Sequence, residues 1–208
     1  MYKKQMKFQK VICVLMLIAS AVVFIYSLGL VTDLYDSLYL TMMDPEDLSY
    51  TMVEGSQIYY EMQGYDPATN DFTGFNFNAA LTMVGIGLIL VNLILFITCT
   101  HSRRKYYIGN YIAVGLSAAC SVGASVWAIF NVIAFREKFL QIDFDALKEF
   151  SEMWNTHYSD STMWFDAVYF VFGFLLLMTA LLVANLILKV IVMKKEQRLI
   201  GSRKDVRA

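Results

Sequence analysis

Few residues in this chain have chemical capacity, and most of them lie outside its apolar segments. Asp44, Glu46 and Asp47 crowd one short stretch, and oxygen-rich clusters of that kind suit calcium or magnesium. Their spacing matches no EF-hand loop, and acids at a helix start already have a capping role, so they stand only as weak metal candidates. Asp143 and Asp145 share the spacing of a metal–nucleotide motif, yet on an amphipathic helix they read more simply as a solvated face. The two histidines, His101 and His157, do not pair at ligand spacing, and neither a nucleophile elbow nor a phosphate-cradling glycine loop occurs. No catalytic residue and no cofactor is expected, and the chain reads as a non-enzyme.

The elements that position these residues are apolar. Hydrophobic residues make up 58% of the 208 positions, and mean hydropathy is positive. A hydrocarbon core of about 30 Å needs roughly 20 apolar residues in a helix. Four segments meet that length: spans one to four at 11–31, 75–100, 106–135 and 167–188. None contains a charged residue. The expected fold is all-α, a four-helix transmembrane bundle.

Charge sets the expected threading. Basic residues cluster in 1–10, in the short loop 101–105 and in the tail 189–208, which together hold 14 of the 17. By the positive-inside rule these segments face the cytoplasm, so both termini are expected there. The loop 32–74 has no lysine or arginine and, extended to Asn78, the stretch carries nine of the 18 acids. Ala19-Ser20-Ala21 imitates a signal-peptidase site, but apolar sequence continues to Val31. An uncleaved first span is therefore expected; cleavage would leave three. The cysteines Cys13, Cys99 and Cys120 all fall within spans, and no glycosylation sequon occurs. Both facts point to a bacterial plasma membrane.

The two outer loops carry helical patterns of their own. Asp44-Pro45-Glu46-Asp47 reads as a helix start, giving a helix near 45–63 with Gly64 as its C′ residue. In the second outer loop, 136–166, no glycine or proline forces span three to stop. Leu140, Phe144, Leu147, Phe150 and Trp154 there predict an amphipathic helix near 137–154. Together the loops are expected to form a small extracytoplasmic cap, with those five residues as its interaction face. Arg136 breaks the inside bias but has Glu137 adjacent to it.

Within the spans, span three carries a ladder of small residues. Gly115, Ala119 and Gly123 follow one spacing, with Ser117, Ser121 and Ser125 on a neighbouring stripe. Small-xxx-small lets helix backbones approach closely. It predicts either packing at the bundle centre or a seam to a second copy or another membrane protein. Asn92, Asn131 and Asn185 are expected to hydrogen-bond across helices, since an unpaired amide in hydrocarbon is costly. The uncharged spans argue against proton relays and voltage sensing.

The layout is similar to that of claudins, connexins and tetraspanins, whose outer-loop cysteines this chain lacks, so the resemblance implies no residue roles. The expected function is a multi-pass accessory or interaction subunit whose acidic outer cap docks a partner or ligand. An oligomeric pore or passive transport protein and a lipid-handling protein are the alternatives. The bilayer is the expected partner, with a membrane protein or second copy through span three; nucleic acid is not.

Overall fold

A computed structural model describes residues 2–38, 58, 60–66, 69, 71–72, 76–100, 107–145, 148 and 160–205. Four helices dominate it: α1 Tyr2–Leu38, α2 Phe77–Thr100, α3 Tyr107–Phe139 and α4 Met163–Asp205. Each contains a segment long and apolar enough to cross a membrane: Gln5–Leu30, Phe77–Cys99, Ile108–Phe139 and Met163–Lys195. The protein is a helical, multi-pass membrane protein. Its described strands, β1 Tyr65–Asp66 and β2 Asp71–Phe72, pair antiparallel over two residues each.

The helices reach past the apolar segments that define them. At 37 residues and about 1.5 Å per residue, α1 spans roughly 55 Å, well beyond a hydrocarbon core of about 30 Å. Lysine and glutamine are good helix formers, so nothing at Lys10 or Lys189 breaks the backbone ladder. Asn76 caps α2, its Oδ1 accepting the Ala79 N–H at 2.8 Å. Gly64 adopts φ 73°, and its N–H bonds to Glu61 O at 3.0 Å. That is the left-handed stop expected of a C′ glycine.

The chain divides into two compact units. The first comprises Met1–Ala21, Gly87–Ser125 and Phe174–Ala208; the second comprises Val22–Ile86 and Val126–Gly173. In the second unit the core is aromatic. Phe77 packs on Trp127 and Phe135, with ring centroids 5.2 and 5.3 Å away, and Phe139 packs on Phe144 and Phe165 at 5.1 and 5.2 Å. Trp164 lies against Gly29, where an added Cβ would fall 2.3 Å from the indole. Gly85 meets the backbone of Phe24 in the same way, at 2.9 Å from Cα.

Two loop readings change in detail. Glu137–Phe139 belong to the end of α3, not to the start of a separate outer helix. The chain then turns, with Gln141 N–H bonded to Lys138 O and Ile142 N–H to Phe139 O. Phe139 and Ile142 are both buried, so apolar anchoring ends the helix where neither glycine nor proline does. Arg136 pairs with Asp166 on α4 at 2.8 Å, not with Glu137. Lys138 pairs with Glu61.

Candidate functional site

The first unit holds a polar cluster buried among its helix segments. It begins with α1, whose buried face runs Gln5, Gln9, Cys13, Met16 and Ser20, all at three- or four-residue spacing. α4 presents Leu175, Thr179, Leu182, Asn185 and Lys189 by the same geometry. Lys189 therefore occupies a core position. Its side chain is buried, with the residue only 5% exposed.

Contacts within the cluster are dense. Lys189 Nζ donates to Asn110 Oδ1 at 2.7 Å and sits 5.7 Å from the centroid of the Tyr111 ring. Gln9 Nε2 donates to the same Asn110 oxygen at 2.8 Å and to Cys99 Sγ at 3.0 Å. Asn110 Nδ2 approaches Cys99 Sγ and Thr98 Oγ1, both at 3.4 Å. Gln5 Nε2 donates to Gln9 Oε1 at 3.3 Å and to Asn185 Oδ1 at 3.2 Å. Cys13 Sγ lies 2.9 Å from Cys99 Sγ. Gln5 Oε1 is buried with no hydrogen-bond partner among the described residues.

A second polar group in this unit joins three helices in sequence. Ser117 Oγ donates to Asn92 Oδ1 at 2.5 Å, and Asn92 Nδ2 donates to Ser20 Oγ at 2.7 Å. Ser20 Oγ then donates to Met16 O at 2.8 Å. Each hydroxyl uses its single proton, and the order of donation is fixed along the chain.

Asn92 and Asn185 thus face protein and bond across helices. Asn131 does not: its Nδ2 donates to Trp127 O in its own helix, at 2.8 Å. A carbonyl one turn back satisfies a half-buried amide without a second helix. Ser117, Ser121 and Ser125 are fully buried, whereas Gly115, Ala119 and Gly123 lie on the exposed side of α3. A Cβ added at Gly115 or Gly123 meets nothing within 4 Å. The two ladders are two residues apart, so at about 100° per residue they occupy opposite faces of α3. The serines turn inward and the glycines outward. Packing of α3 at the bundle centre through Gly115, Ala119 and Gly123 is therefore corrected.

The other sequence candidates are dispersed. Leu140 is exposed, and Phe144 is half-buried against Phe139. Leu147, Phe150 and Trp154 lie outside the described residues, as do Asp44, Glu46 and Asp47. Asp143 and Asp145 are exposed. Among the described residues no three His, Cys, Asp or Glu side chains gather to hold a metal.

Three members of the buried cluster escape a reading that ends spans at the first charge. Gln5 and Gln9 precede Val11, and Lys189 heads the basic tail. The available signal was periodicity: Gln5, Gln9 and Cys13 recur every four residues, and Lys189 follows Leu182 by seven. Fold and site together define a multi-pass helical membrane protein with an amide- and thiol-lined interior in one unit. No known protein family, curated sequence or solved structure matches the chain.

Proposed function

We propose that this protein is a non-enzymatic interaction subunit of a bacterial plasma membrane, joined to another transmembrane helix along the outward stripe of α3. The observation carrying this reading is the open space over Gly115 and Gly123, with Ala119 between them on the exposed side. Lipid gives helices no hydrophobic drive to associate, so close backbone approach at small residues is a principal source of attraction. Both termini are placed in the cytoplasm on the charge asymmetry. The acidic loop 32–74 and the face containing Leu140 and Phe144 supply a second contact surface, as an extracytoplasmic cap.

Gly115→Leu and Gly123→Leu test the reading. Neither side chain would meet the chain's own atoms at Cβ, so the fold should persist while the complex falls apart. Native mass measurement in membrane-derived nanodiscs is expected to show a loss of mass in both variants, with thermal unfolding unchanged. An unaltered mass would sink the proposal. The alternative of an oligomeric pore has less support, because the buried amides of Asn92 and Asn185 are occupied by protein partners. A ring of subunits with a solvent path would promote it.

A further inference from the structure

We infer that Cys13 and Cys99 form a reversible disulfide site inside the membrane-spanning region, oxidised by a small hydroperoxide able to reach a buried sulfur. The two thiols come from different helices and are almost fully buried, 0% and 2% exposed. Their sulfurs are 2.9 Å apart, within 1 Å of the about 2.05 Å of a disulfide bond. Bond formation therefore asks for only a small displacement of two side chains.

The sulfurs are not equivalent. Cys99 Sγ accepts from Gln9 Nε2 at 3.0 Å and lies 3.4 Å from Asn110 Nδ2. Donors aimed at a sulfur support the electron-rich form that attacks an electrophile. Among the described residues, Cys13 Sγ has Cys99 Sγ as its one hydrogen-bonding contact. Cys99 is accordingly the attacking sulfur and Cys13 the resolving one. Cys120, the third free cysteine, is half-buried on α3 and provides an internal control.

The chemistry proceeds in two balanced steps. Cys99 sulfur attacks the terminal oxygen of the hydroperoxide ROOH; the O–O bond breaks, the thiol proton passes to the leaving alkoxide, and Cys99 sulfenic acid and ROH result. Cys13 sulfur then attacks the sulfenic sulfur, the S–O bond breaks, and its proton leaves with the hydroxyl as water. The pair loses two electrons, and the peroxide gains them. A dithiol reverses the change by exchange.

The test uses the full-length chain in nanodiscs, exposed to hydrogen peroxide or tert-butyl hydroperoxide. Free thiols are then alkylated under denaturing conditions, and the protein is digested without reductant. Mass spectrometry is expected to find a Cys13–Cys99 linked peptide pair that a dithiol abolishes, with Cys120 alkylated. Recovery of Cys13 and Cys99 as alkylated thiols, or cross-links through Cys120, would overturn the site. Cys13→Ser should trap Cys99 as a dimedone adduct; an adduct at Cys120 instead counts against Cys99 as the attacking sulfur. Gln9→Leu should slow cross-linking about fivefold, the worth of one hydrogen bond. An unchanged rate would overturn the role of Gln9 in making Cys99 the attacking sulfur.

Discussion

The ammonium of Lys189 on α4 is held 2.7 Å from the side-chain oxygen of Asn110 on α3. That same oxygen accepts a hydrogen bond from Gln9 on α1, so a single amide carbonyl serves donors from two other helices. Hydrogen bonds to charged groups contribute about 1.5–3 kcal/mol each. Asn110→Leu is therefore expected to destabilise the protein by about that much. Adding Lys189→Met should return most of the loss, because the buried charge is then gone. Unfolding by detergent titration measures both. With Lys189→Met alone also measured, a double-variant loss equal to the sum of the two single losses would show that the two residues act independently.

Asn92 links α1, α2 and α3 through Ser20 and Ser117. Interhelical hydrogen bonds in membranes average about 0.6 kcal/mol each, with a maximum near 1.7. Asn92→Leu should thus cost about 1–3 kcal/mol for its two bonds, part of it from the Ser117 hydroxyl, which loses its acceptor. Ser117→Ala in the Asn92→Leu background is expected to relieve that part. The same detergent titration reads the difference, and no recovery would mean the leucine is simply too large.

Gly85 and Gly87 make a paired prediction about close approach. A methyl at Gly85 would sit 2.9 Å from Phe24 Cα, a backbone atom that cannot swing away. Overpacking of this kind costs about 1–3 kcal/mol. At Gly87 nothing lies within 4 Å, so Gly87→Ala should be neutral or stabilising by up to about 1 kcal/mol through helix propensity. Opposite signs for the two alanines are the expected result of thermal unfolding in nanodiscs.

Arg136 and Asp166 pair while partly open to solvent, with 31% and 41% of their side chains exposed. Thr162 Oγ1 also donates to Asp166, at 2.7 Å. Exposed pairs contribute about 0.2–1 kcal/mol and are screened by salt. Asp166→Asn should therefore lower stability by no more than about 1 kcal/mol, with the loss shrinking at high ionic strength. A salt-independent loss would assign the effect to Thr162 and the helix start instead.

The four spans were legible because apolar length is a strong signal that needs no tertiary information. Gly64 was legible for a similar reason, since a left-handed stop strongly favours one residue type. Lys189 was not. A lysine at the end of an apolar run reads equally well as the first residue of a basic tail, and only the neighbouring helices decide which. Gln5 and Gln9 share that ambiguity at the other terminus. Periodicity could separate the serine and glycine ladders of α3 onto opposite faces, but choosing which face turns inward required Asn92 as a partner for Ser117. Arg136 was given its sequence neighbour, yet Glu137 follows it by one residue and points elsewhere on the helix. Its partner lies 30 residues away.

The contact between Trp164 and Gly29 has a geometric consequence. With no Cβ at position 29, the six-membered ring of the indole can lie close against α1. Tyr26, one turn earlier, meets the same ring at 6.4 Å between centroids. Position 29 behaves as a keyway for the indole. A Cβ there would fall 2.3 Å from the indole, so any side chain at this position would displace the Trp164 ring.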